Sequence, residues 1–413
     1  MRADVIFPTL AMMAVLTVAS MSSHSVAVLA PKAAPAIGVG AAYIGLYISI
    51  VYTSAMFSGA VTGVFVGRYG GIRVCQFLVL ASAAAMGAFA LAALPAVILS
   101  AVLLGMAHGP FNPASAHVLV KVSTPEWRPL IFSVKQSGVP VGGALAGALT
   151  PALVLLVGWQ GAALTVSVLA LVVLFLLQPL RERLDADRDP RHSLRGVSIA
   201  APLKLVFTQP NLRPLALVTF VYAGCQLSVS GFFVVYLTQA VGMPLLQAGF
   251  VFALLQVAGI CGRVLLGALA GRLVPARRLL AILGVSIAIT SAMTAAITAQ
   301  WPLIVIILVA IVLGASCLGW NGISLSEIAA RAPEGKISEA TGGVQFVMFA
   351  GIVLVPPSFG AVVNFTANYA VAFLLLVALA MIAGIYLMGA PRPVRAERVS
   401  AKVERVREVD TPE

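Results

Sequence analysis

GVFVGRYGGIR, residues 63–73, and GALAGRLVPARR, residues 267–278, are one short basic turn written twice, 204 positions apart (267 − 63). Each closes one long apolar run and opens the next. Working outward, Ser137-Gly138 and Thr341-Gly342 repeat at the same offset, and Gly105-x6-Asn112 and Gly314-x6-Asn321 repeat at 209. Each match is weak alone, but three in the same order between equivalent segments imply a parallel duplication about an axis along a membrane normal.

The segments between these turns set the class. Hydrophobic residues make up 61% of the 413 and charged residues 10%, with a mean hydropathy of +1.04. A soluble chain cannot hide that much apolar surface. A helix needs about 20 apolar residues to cross a bilayer, and twelve stretches of that kind run from 6–30 to 369–390. We therefore expect an all-α membrane protein of twelve transmembrane helices, its first span retained because no small-residue cleavage site follows a short core. The four cysteines, Cys75, Cys225, Cys261 and Cys317, fall in or at the edge of spans and read as small buried apolar residues. No metal spacing, disulfide framework, phosphate-binding loop or nucleophile elbow is visible, so neither cofactor nor enzymatic chemistry is expected.

Cations orient the spans, because Lys and Arg of short loops stay in the cytoplasm. With the N-terminus inside, all but three of the 26 Lys and Arg residues fall on the cytoplasmic side. The exceptions are Lys32, Lys135 and Arg263. The formal charge of +12 is thus a topology signal; nucleic acid would need a clustered basic face on a soluble domain. The expected location is the inner membrane, multi-pass, with both termini cytoplasmic. The polar segment with RERLDADRDPRHSLRG (181–196) lacks apolar periodicity and reads as a solvated linker. The chain divides into a first six-helix bundle (1–180), linker (181–212), second bundle (213–390) and cytoplasmic tail (391–413).

The turn at 63–73 resembles the signature loop of the major facilitator superfamily, Gly-x3-Asp-Arg-x-Gly-x-Arg-Arg. Gly67 stands where that loop has Asp, and only Arg73 remains of its terminal basic pair. The likeness covers everything but the tail. It implies two pseudo-symmetric bundles rocking about a mid-membrane site, with cytoplasmic loops formed by Gly63, Gly67, Arg68, Gly70 and Arg73, and by Gly267, Gly271 and Arg272. Their arginines either gate the carrier or anchor in headgroups.

Arg263 is the decisive residue. It precedes Arg272 by nine positions, which puts it roughly 13 Å inside the membrane, where a guanidinium costs several kcal/mol unless answered. Every Asp and Glu falls in a loop, a tail or a span end, so an anion from solution is the leading partner. Gly262-Arg263-x3-Gly267 is similar to the span-8 arginine of oxalate, monocarboxylate and nitrate carriers in the superfamily, where it holds the anion. The competing reading is an arginine bonded to backbone carbonyls. Lys135 opens KQSGVPVGGALAG (135–147), similar to the superfamily's span-5 motif. It lies roughly 9 Å inside the interface, close enough to snorkel or to give a second anion contact.

Pro110 and Pro113 must break span 4, with His108 and Asn112 on one face. The resemblance makes the first, fourth, seventh and tenth spans line the path, so His24, His108, Asn112, Gln226 and Asn321 become candidates for substrate contact, with Gln345 on span 11. His24 and His108 are the only plausible buried proton carriers. The expected function is secondary transport of a small, carboxylate-like anion by a monomer, coupled to a co-transported proton or an exchanged anion. Rival readings are efflux of amphipathic drugs by proton antiport, and a non-transporting membrane sensor.

Overall fold

A computed structural model describes residues 3–123, 128–191, 200–270, 273–333 and 337–389. The first half contains α1 (Ala3–Ile37), a single 3-10 turn (Ala41–Tyr43), α2 (Ile44–Tyr69), α3 (Gly71–Ala90), α4 (Leu94–His108), α5 (Phe111–Val122), α6 (Arg128–Gln136), α7 (Gly138–Leu176) and α8 (Gln178–Leu184). The second contains α9 (Ala200–Thr208), α10 (Arg213–Gln239), α11 (Leu245–Leu269), α12 (Ala276–Ala295), α13 (Leu303–Arg331), α14 (Ile337–Thr366) and α15 (Tyr369–Gly389).

These elements make twelve crossings. The fourth is α4 and α5 joined at Gly109-Pro110, the break that the two prolines require. The fifth runs through α6 into α7, and α7 reverses at Gly158, where φ is 74° and only glycine is unstrained, to give the sixth. Helices dominate because a backbone in lipid must satisfy its own hydrogen bonds. Large apolar side chains such as Phe57, Leu156, Phe175, Leu265 and Ile382 point outward, the surface a bilayer covers. Cys75, Cys225 and Cys317 are buried as expected, but Cys261 is exposed on α11, because that helix turns residue 261 away from its partners.

The halves meet where α7 packs on α11 and α2 packs on α14. There the α7 and α11 backbones touch: a Cβ on Gly147 would stand 2.6 Å from the Gly249 carbonyl oxygen, and one on Gly249 2.5 Å from that of Gly147. On the other flank, Ser49 Oγ of α2 donates to the Val353 carbonyl of α14 at 2.6 Å. The packed α2 and α14 leave no room for a side chain at Gly45, 2.4 Å from the Pro356 carbonyl.

The segment expected to be solvated is tied down at its start. Asp185 is only 3% exposed, and its carboxylate accepts from the backbone N–H groups of Ile72 (2.8 Å) and Arg73 (2.9 Å) at the head of α3. Asp187 binds Lys121 and, at 3.0 Å, His117, both on α5. The Asp189 N–H donates to the Gly67 carbonyl at 2.9 Å. Arg183 pairs with Asp4 at 2.7 Å. Charge-rich sequence reads as solvent-facing only until the rest of the fold presents unpaired donors to it. Farther along, α9 packs on α14 through Pro202 and Gly343. His192, Gly271, Arg272 and the tail from 390 lie outside the described residues.

Candidate substrate-binding site

Arg263 stands on α11, half-buried, where Gly262 lets α13 approach to within 2.5 Å of its would-be Cβ. That proximity brings the Leu318 carbonyl to Arg263 Nε, which donates to it at 3.0 Å. The Nη groups have no hydrogen bond among the described residues. One donor of five therefore holds the guanidinium in place, and the planar fork stays unpaired. This bond is also what a purely structural arginine makes. A single hydrogen bond to a charged group is worth about 1.5–3 kcal/mol, which only partly offsets the cost of a charge held within a membrane span.

Phe252, Gln256 and Arg263 fall within about 40° of one another around α11 at 3.6 residues per turn. Gln256 is a residue that the sequence reading missed. It is 1% exposed, and its Nε2 is buried without a partner. It sits where α7 has Gly143, whose added Cβ would fall 2.6 Å from the Gln256 Cδ. The signal was available, since Gln256 precedes Arg263 by seven residues and so shares its face.

His24 on α1 lies against this strip, its ring 5.9 Å from that of Phe252. Its Nδ1 contacts the Ser20 carbonyl at 2.8 Å and Ser20 Oγ at 3.2 Å. His108, at the end of α4, has a buried Nδ1 near the Leu104 carbonyl but outside hydrogen-bond geometry. Its ring is 6.1 Å from Tyr52, which in turn is 5.6 Å from Phe349 of the other half. Gln345 lies half-buried one turn before Phe349 on α14.

The other candidates form separate groups. Lys135 is 3% exposed and donates to Asn112 Oδ1 (3.0 Å) and Ser115 Oγ (3.2 Å). The rings of Phe111 and Phe132 lie 5.2 and 5.6 Å from its Nζ. Snorkelling to the interface is thus replaced by an internal cage within the first half. Asn112 is spent on Lys135. In the second half, Gln226 Oε1 accepts from Trp320 Nε1 at 3.1 Å and from Asn321 Nδ2 at 3.5 Å.

Of the loop residues, Arg73 Nη1 donates to Gln76 Oε1 at 3.0 Å, and Arg68 lies over the Tyr69 ring at 5.8 Å. Gly63 and Gly67 fall in the last turns of α2, and Gly70 makes the corner at φ 92°. Gly267 is exposed, with open space around it. Glu327, at a span end, is tied to Arg331. No Asp or Glu bonds to Arg263, His24, His108 or Lys135 among the described residues.

Residues 10–356 match the family description Major Facilitator Superfamily. No curated protein matches the sequence. Among solved structures, the chain is similar to a bacterial homologue of the human lysosomal transporter Spinster in an inward-facing and occupied conformation, with TM-score 0.76, 15% identity, and 94% of this chain and 97% of that one covered. A nucleoside transporter matches at TM-score 0.76 and 14% identity, over 93% of this chain and 100% of the other. A D-xylose-proton symporter matches at 0.72 and 13%, over 94% and 97%. At such identities the likeness shows the fold alone, while the family match spans most of the sequence. The chain belongs to the major facilitator superfamily and is a multi-pass secondary transporter, not an enzyme.

Proposed function

We propose that this transporter moves a small, carboxylate-like anion by alternating access about a site centred on Arg263, as a monomer in the inner membrane with both termini cytoplasmic. One observation carries the reading: a guanidinium within α11, six residues before the helix ends and fixed through Nε, keeps both Nη groups unpaired with no carboxylate bonded to it among the described residues. A planar fork held this way suits two parallel hydrogen bonds to one carboxylate. Gln256 Nε2 adds a neutral donor on the same face, and His24 and Phe252 close the side toward α1.

The test is a thermal-shift screen of the purified full chain against succinate, lactate, nitrate and sulfate, repeated on Arg263→Lys and Arg263→Ala. Loss of a bidentate pair worth about 1.5–3 kcal/mol weakens affinity about 10- to 100-fold. The lysine variant keeps the charge but not the fork, so it falls with the alanine variant. Stabilisation by cationic amphipaths and by none of these anions, unchanged in both variants, sinks the proposal in favour of drug efflux.

A further inference from the structure

We propose that the substrate is a hydroxycarboxylate, whose hydroxyl is read by the side-chain amides of Asn321 and Gln226 while its carboxylate meets Arg263. The proposal deepens the anion reading and rests on it. Arg263 and the amides are bonded separately, yet α13 joins them. Arg263 reaches α13 by donating from Nε to the Leu318 carbonyl at 3.0 Å. A helical carbonyl points along the axis toward the residue four positions on, so the guanidinium is drawn toward Asn321 and Gly322. Gly322 stands about 40° around α13 from Leu318, and a Cβ built on it meets nothing within 4 Å. Asn321 stands nearly one turn, about 4.5 Å, past Leu318. Open space at Gly322 thus lies beside both the carbonyl that anchors the fork and the Asn321 amide.

Donors and acceptors orient the two amides. Trp320 Nε1 is only a donor, so the Gln226 atom that it meets at 3.1 Å is the oxygen. Oxygen facing oxygen would repel, so Asn321 turns its Nδ2 toward Gln226 Oε1, at 3.5 Å, and its Oδ1 away. Tyr222 packs edge-on against the Trp320 ring, centroids 6.0 Å apart, and is itself held by a bond to the Leu280 carbonyl at 2.7 Å. Trp320 is therefore fixed from behind, and it fixes Gln226. The Gln226 Nε2 donor and the Asn321 Oδ1 acceptor are left without a hydrogen bond among the described residues. Neither atom is sealed in, so a ligand can reach both.

The pair defines what it binds. A donor beside an acceptor matches one hydroxyl, which accepts from Nε2 and donates to Oδ1. A keto oxygen answers only Gln226, and a second carboxylate cannot donate to Oδ1. An ammonium answers only Asn321 and is repelled by Arg263. The planar fork takes the carboxylate. With less than one helical turn between fork anchor and amide, the hydroxyl belongs one or two carbons beyond the carboxylate.

Titration calorimetry on the purified full chain tests this, with lactate against propionate and 3-hydroxybutyrate against butyrate. Each pair is matched in charge and carbon count. A site built to bond a hydroxyl rejects the analogue that lacks it, so at least one hydroxy acid is expected to bind about 10-fold tighter than its partner. Asn321→Ala should bring that ratio close to one whatever the absolute affinities, whereas a general change in packing moves both members of a pair alike. Equal affinities within both pairs in the parent, a comparison that requires no variant to fold, overturn the proposal. So does a ratio that persists in Asn321→Ala. If the pairs are equal and Arg263→Ala abolishes their binding, the anion reading stands and only the hydroxyl subsite falls. If none of the four acids binds, both fall.

Discussion

Asp185→Ala tests how the first half is held together. The carboxylate is buried at 3% exposure and caps α3 by accepting from two consecutive backbone N–H groups, at 2.8 and 2.9 Å. Charge-assisted bonds contribute about 1.5–3 kcal/mol each, and a helix N-terminus adds about 0.3–1 kcal/mol for a nearby anion. Alanine removes both bonds and leaves two amides facing a small void, which water entering beside the Gly70 corner can refill in part. A net loss of about 3 kcal/mol follows, above the usual range of about 0.5–2 kcal/mol for an exposed cap. For a cooperative unit of 150–250 residues this lowers Tm by about 2–4 °C per kcal/mol, or about 6–12 °C. The assay is thermal unfolding of the purified full chain in detergent, followed by tryptophan fluorescence. Asp185→Asn keeps one acceptor and should fall between parent and alanine. Asp189→Ala is the control, because among the described residues that side chain makes only an exposed turn bond to the Arg191 N–H. A Tm for Asp185→Ala within about 1 °C of the parent would refute the reasoning.

Two further outcomes follow from the same geometry. Gly147→Leu puts a side chain where a Cβ already stands 2.6 Å from the Gly249 carbonyl, so the halves should part. Crosslinking between cysteines introduced at Ser49 and Val353, which touch across the opposite flank, should drop severalfold, and an unchanged yield contradicts the contact. Asp187 gives a pH dependence: partial desolvation pushes its carboxyl up, but the Lys121 bond and charge and the nearby His117 outweigh it and hold it below 3.8. A depressed carboxylate stabilises the fold above its unfolded value and loses that contribution as pH falls through the folded value. Stability should therefore drop below about pH 4 more in the parent than in Asp187→Asn, and equal acid sensitivity refutes the staple.

Much of the site was legible and much was not, for reasons tied to particular residues. Arg263 stood out as a cation in an apolar run without an acidic partner, but α11 ends at Leu269, six residues on, so a depth counted from Arg272 is not a count along one helix. His24, His108 and Gln226 were readable as polar groups in spans, but their partners were not. Asn112 looked free to meet a substrate, yet Lys135, on a separate helix, fills its Oδ1. Gln256 was not singled out from the sequence, because only its packing against Gly143 of the other half shows its Nε2 buried and unpaired.

Sequence alone determined the twelve crossings, the break in the fourth and the duplication of the halves. Those properties are local, since a helix in lipid satisfies its backbone within one segment and prolines act on the turn that contains them. The tertiary structure decided which charges are answered. Asp185 meets amides 113 and 112 positions away, and Arg263 finds a carbonyl 55 positions away. An ion pair or hydrogen bond forms within about 3 Å, and no local pattern encodes which distant helix supplies the partner.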